Sequence, residues 1–166
     1  FSGDLADYAR PSFAPGRPLF EAVLELTERI HRDFEYDPKS TTIATPVSEV
    51  FKQRRGVCQD FSHLQIAWLR SLGLAARYVS GYLRTTPQPG KPHLVGADAT
   101  HAWVSVYCPD VGWLDVDPTN NVQSSDKHLV LGWGRDFEDV SPLKGVILGG
   151  EQHSVGVSVD VAEVGE

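Results

Sequence analysis

A chain of 166 residues that is 41% hydrophobic and 22% charged can bury one substantial core and is too apolar to be disordered. Its 22 acidic and 15 basic residues leave a net charge of −7, and Arg54-Arg55 is the only adjacent basic pair, so a phosphate backbone is repelled and nucleic acid is not expected as a partner. No apolar run is long enough to span a bilayer, and two cysteines, Cys58 and Cys108, are too few for a disulfide framework or a paired-cysteine zinc site.

The chain reads as one domain over residues 1–166. Residues 1–17 form a lead-in or the tail of a linker, rich in Pro and Gly without a sustained period. The chain begins at Phe1 and contains no Met, which leads to the expectation that a leader or an N-terminal domain has been removed. With no signal pattern or membrane segment in view, a cytoplasmic address is favoured.

Three helices are expected first. "PLFEAVLELTERIHRDFEY" carries Phe20, Val23, Leu24, Thr27, Ile30 and Phe34 at helical spacing, with Pro18 suited to a first turn and Asp37-Pro38 closing the segment. "TPVSEVFKQR" predicts a short second helix, with Thr45 as cap and Pro46 at the first position, ending at Gly56. The third starts at Cys58 and runs to about Leu72, presenting Phe61, Leu64, Trp68 and Leu72, with Gly73 beyond its end.

The period then changes to two. "ARYVSGYLR", "THAWVSVYC", "GWLDVD" and "HSVGVSVDVAEV" alternate as half-buried strands, the last placing Val155, Val157, Val159 and Val161 on one face. The stretch from about Asn121 to Gly150 has neither period and is expected to frame a cleft. Helices followed by strands predict an α+β domain with an antiparallel sheet.

Cys58 stands in the first turn of its helix, where unpaired N–H groups and the positive end of the macrodipole favour thiolate, the nucleophilic form. Gly56 would let backbone or substrate approach closely. A nucleophile needs a base, and the base an orienting group. His101 opens one strand and Asp117 ends the next, so antiparallel pairing could bring them together, with Asp115 as the competing carboxylate. Each also has a plain reading: a packed thiol, a strand-edge imidazole, and a turn carboxylate before Pro118. Trp103 and Trp113 are candidates for lining a substrate cleft, with sheet packing as the alternative. His63 falls off the Cys58 face of the helix and reads as structural. His31, His93, His128 and His153 have no metal-ligand spacing, so neither a metal nor a cofactor is expected. Cys108 reads as packing, with a bridge to Cys58 as the alternative.

"GVCQDFSHLQIAWLRSLGLAARYVSGY", "HAWVSVY" and "GWLDVDPT", in that order, resemble the transglutaminase-like superfamily in its bacterial branch, related to cysteine peptidases and amidases, over about residues 19 to 120. The resemblance implies a papain-like arrangement, a nucleophile helix packed on an antiparallel sheet, with Cys58 as nucleophile, His101 as base and Asp117 as the acid that orients it. It implies acyl transfer on carboxamides of a peptide or protein substrate. Hydrolysis is the first expectation: animal cross-linking members carry additional domains and calcium sites, whereas this chain shows no carboxylate-rich calcium loop and its triad core is compact. Transfer to an amine is the second. A catalytically silent scaffold or interaction module is the third. Oligomeric state is not readable from sequence.

Overall fold

The apolar stripe of the first helical segment does what its spacing predicts. α1 spans Leu19–Asp33 and buries Ala22, Val23, Leu26, Thr27 and Ile30. The fold is taken from a computed structural model, which describes residues 7–84 and 100–141 together with Gly145, Gly149, Val159 and Val161. The strand expected through Val155 and Val157 lies outside the described residues.

After α1 the chain forms β1 (Glu35–Tyr36), α2 (Val47–Gln53) and β2 (Arg55–Gly56), with β1 and β2 paired in parallel. Pro46, not Thr45, occupies the N-cap of α2; the Thr45 hydroxyl instead accepts from the Thr42 N–H at 2.9 Å. α2 stops where Arg54 turns left-handed, at φ 57°. α3 then runs over Cys58–Ser71 and ends ahead of Gly73, whose φ of 77° suits glycine.

The sheet comprises β3 (Ala76–Leu83), β4 (Thr100–Cys108), β5 (Gly112–Asp117), β6 (Val122–Gln123) and β7 (His128–Gly134) in the order β6-β5-β4-β3-β7. All four pairings are antiparallel. This is the α+β architecture that the order of helical and alternating segments predicts. The strands β6 and β7 and a short 3₁₀ turn at Phe137–Val140 occupy the stretch read from sequence as lacking both periods. "HLVLGWG" does not alternate because two of its residues are glycine and three successive residues are apolar; pairing with β3 makes it a strand.

The core lies between the helices and one sheet face, where Leu26, Ile30, Phe61, Leu64, Trp68 and Leu69 meet Tyr78, Ala102, Val104 and Val106. Each large side chain removed from water contributes roughly 1.5–3 kcal/mol. Residues expected as a lead-in belong to this core. Ala9 is fully buried, and Tyr8 stacks on Trp68 at 4.4 Å and donates its hydroxyl proton to Asp33 at 2.9 Å.

β3 and β7 shift register between Ser80 and Gly81. Gly81 allows it: a Cβ there would collide with the Leu129 carbonyl and come 2.6 Å from the Trp103 ring. Backbone cannot yield as a side-chain tip does. Gly81→Ala should therefore lower unfolding free energy by about 1–3 kcal/mol in urea titration. Gly132→Ala, on the partner strand, meets only Val140 at 3.5 Å and should stay within about 1 kcal/mol of wild type by the same measurement.

Candidate active site

Cys58 is the first residue of α3, so its thiol and its own N–H lie at the helix's positive end. The residues around it hold that end in place. The Asp60 carboxylate accepts from the Val57 N–H at 2.9 Å and from the Thr41 hydroxyl at 2.6 Å, tying the helix start to the loop before α2. Gly56 makes room for this arrangement: a Cβ on it would sit 2.8 Å from the Asp60 side chain.

His101 is the second residue of β4. Its Nε2 lies 2.7 Å from Asp117 Oδ2, which leaves Nδ1 free of that carboxylate, and the ring lines the same cleft as the Cys58 thiol. The fold thus brings Cys58, His101 and Asp117 together. Burial opposes charge on the imidazole, but its hydrogen bond to Asp117 and the nearby Cys58 thiol outweigh it and raise its pKa to about 9.

Asp117 is fully buried and performs both tasks that the sequence allows it. Oδ1 accepts from the backbone N–H groups of Thr119 at 2.9 Å and Asn120 at 3.2 Å, the turn function expected before Pro118. Oδ2 faces His101 and also accepts from Asn120 Nδ2 at 2.6 Å and His128 Nε2 at 3.2 Å. Burial alone would favour the neutral acid, yet the hydrogen bonds from His101 and His128 hold the carboxyl well below its usual range. The turn is fastened to α1, since His31 Nδ1 donates to the Thr119 carbonyl at 2.9 Å. Asp115, the competing carboxylate, accepts instead from Trp103 Nε1 at 3.0 Å.

A cleft of about 250 Å³ lies against Cys58, lined by Tyr36, Val57, Gln59, Tyr78, His101 and Phe137 among others. That volume is below the usual range for a whole small-molecule ligand. Trp103 and Trp113 do not line it. Trp103 is fully buried, while Trp113 lies with Trp133 against the Arg77 guanidinium, at 4.1 and 4.0 Å from the two ring centroids. Phe137 places the expected cleft-framing segment at the site. His63 stacks on Tyr78 at 4.9 Å and accepts from the Phe137 N–H at 3.3 Å; burial lowers its pKa, in keeping with a structural imidazole. Cys58 and Cys108 are both free thiols.

His128 has no sequence partner at ligand spacing, but the fold sets it beside the other two groups. One ligand atom each from His101, Asp117 and His128 lies within 4.8 Å of the others. What joins them is the hydrogen bonding described above. The turn-rich "NNVQSSDK" between Asp117 and His128, a signature of chain reversal, is the signal that could have placed the two near each other.

The family model described as "Transglutaminase-like superfamily" matches residues 6–118, and the chain belongs to that superfamily. It is 53% identical over 160 residues to an uncharacterized protein of Mycobacterium tuberculosis, covering 93% of this chain and 51% of that one. It is 36% identical over 121 residues to the protein-glutamine gamma-glutamyltransferase of Pseudomonas aeruginosa, covering 71% of this chain and 18% of that one. Among solved structures it resembles a candidate cysteine protease of Cytophaga hutchinsonii, with a TM-score of 0.69, 29% identity and coverage of 83% of this chain and 44% of that one. It also resembles the periplasmic domain of TgpA from P. aeruginosa, with a TM-score of 0.52, 31% identity and coverage of 72% and 43%. The chain spans about half the length of the first mycobacterial relatives. Among the described residues no helix is long and apolar enough to cross a membrane.

Because the folded pKa of His101 is raised from 6.5 to about 9, the stability it contributes is complete below pH 6.5 and is lost as pH rises through about 9. Asp117→Asn removes the anion that helps sustain this shift. The variant should show a flatter dependence of unfolding free energy on pH between 6.5 and 9 than wild type, measured by urea denaturation at successive pH values.

Proposed function

We propose that the protein catalyses cysteine-dependent acyl transfer on carboxamides, with water as the acceptor, as a peptidase or amidase. The observation that carries this reading is the His101 ring bonded to the buried Asp117 carboxylate and sharing one cleft with the Cys58 thiol. Cys58 thiolate attacks the amide carbon, the C–N bond breaks, and the proton held on His101 goes to the departing nitrogen. His101 then takes a proton from water as it attacks the thioester; the C–S bond breaks, giving a carboxylic acid and restoring the thiol. Asp117 orients the ring and stabilises its cation throughout.

The Cys58 N–H at the start of α3 supplies one donor for the tetrahedral oxyanion. The phenols of Tyr36 and Tyr78 line the same cleft. Burial, with the nearby Cys58 charge, raises both pKa values, so each keeps the proton a second donor would need.

Similarity to a candidate cysteine protease supports hydrolysis, and similarity to a gamma-glutamyltransferase supports a second reading, transfer to an amine. Both pass through the same thioester and differ only in the acceptor. Peptide and glutamine-amide substrates offered with and without an added amine separate them: ammonia with free acid marks hydrolysis, and an amine-linked product marks transfer. Cys58→Ala and His101→Ala should each lower turnover at least about a thousandfold while the fold persists by circular dichroism. Wild-type Cys58 should alkylate with iodoacetamide near neutral pH far faster than a free thiol. Unchanged turnover in Cys58→Ala would exclude cysteine-dependent catalysis, and absence of turnover by the wild type on every one of these substrates would favour a scaffold.

A further inference from the structure

We infer that His128 is a positioning residue for the triad: by donating to the Asp117 oxygen that also serves His101, it fixes the rotation of the carboxylate and shares its charge, an inference that rests on the cysteine-nucleophile reading above. The direction of the hydrogen bond follows from the other side of the ring. The Ser125 N–H donates to His128 Nδ1 at 3.2 Å, so Nδ1 carries no proton and the ring's single proton sits on Nε2. Nε2 in turn lies 3.2 Å from Asp117 Oδ2.

The ring has little freedom to do otherwise. Its side chain is 4% exposed, and it meets Trp103 edge-to-face at 5.2 Å and 79°. Trp103 is itself fixed by its bond to Asp115. His128 opens β7 and pairs with Leu83 across the sheet, so the strand that carries it is positioned by β3, independently of the turn that holds Asp117 Oδ1.

Two histidines therefore compete for one oxygen. The titratable groups facing His101 are Asp117 from β5, Cys58 from α3 and His128 from β7. A donor that draws on the Asp117 charge weakens its pull on the His101 proton, which that ring must release to the leaving group. Removing the donor leaves Asp117 a stronger acceptor, and His101 should hold its proton to higher pH.

Two variants of the full chain separate this role from packing. His128→Phe keeps an aromatic ring against Trp103 and removes the donor; His128→Gln restores an N–H near the Nε2 position. The readout is the His101 ring titration by ¹H–¹⁵N correlation, assigned with His101→Ala, on variants whose thermal midpoints are measured in parallel. The midpoint is expected to rise by about one pH unit in His128→Phe and to stay near wild type in His128→Gln. A titration in His128→Phe that matches wild type overturns the inference, and so does an equal displacement in both variants, which would make the role one of packing. Wild-type Cys58 that alkylates with iodoacetamide no faster than a free thiol overturns the nucleophile reading instead, whatever the variants do.

Discussion

The structure depends on keeping one carboxylate ionised where no water reaches it. Asp117 is fully buried, and a bare anion there would cost several kcal/mol. Five donors make it tenable: two backbone N–H groups on Oδ1, and Asn120, His101 and His128 on Oδ2. They come from the turn after β5, the start of β4 and the start of β7. The carboxylate thus binds three parts of the chain and requires each to be in place, while its charge supports an imidazolium on His101. In the proposed mechanism the same set of bonds serves folding and proton transfer.

Cys58, the proposed nucleophile, is held by different forces. α3 is buried by packing, with Phe61, Leu64, Trp68 and Leu69 in the core, and Tyr8, Phe34 and Phe51 are grouped around Trp68. A polar bond inside that interface, from Gln65 Nε2 to Thr27 Oγ1 at 2.8 Å, registers α3 against α1. The direction of the Cys58 thiol is then set by a rigid element. Asp60 completes the arrangement by occupying the Val57 N–H, while the N–H of Cys58 itself stands at the helix start beside the cleft.

What could be read from the sequence was whatever depends on local period and punctuation. α3 is legible because an apolar run at helical spacing sits between Gly56 and Gly73, and β4 and β5 because they alternate; from these follow the places of Cys58, His101 and Asp117. Trp103 shows where that reasoning stops. Alternation correctly puts it on the His101 face, but its occupation, burial with its N–H given to Asp115, follows from a neighbouring strand's side chain. His128 was still less visible. Its importance comes from pairing between β7 and β3, and β7 is formed by glycines and consecutive apolar residues that mark no period. Tyr8, in a segment that reads as lead-in, was hidden for a similar reason: Pro and Gly describe its neighbours' backbone and say nothing of the aromatic cluster it joins.

Alternation in the sheet also explains why the triad assembles where it does. Ala102, Val104 and Val106 face α3 and the core, so His101, Trp103 and Ser105 belong to the opposite face, as do Asp115, paired with Ser105, and Asp117. A helix on one face and an acid on the other would be separated by the sheet's thickness anywhere along its middle. They meet only at its end, where β4 begins at Thr100 and α3 begins at Cys58. A base at the second position of β4 can there accept from the helix side with one ring nitrogen and turn the other toward the acid. Had the histidine been placed at residue 103 or 105, the strand register would have kept it beside a carboxylate and out of reach of the thiol. The position of His101 at the strand's start is therefore what the proposed chemistry requires of this topology, and Gly81, opposite it on β3, leaves the room in which the Trp103 ring and the β7 backbone close around it.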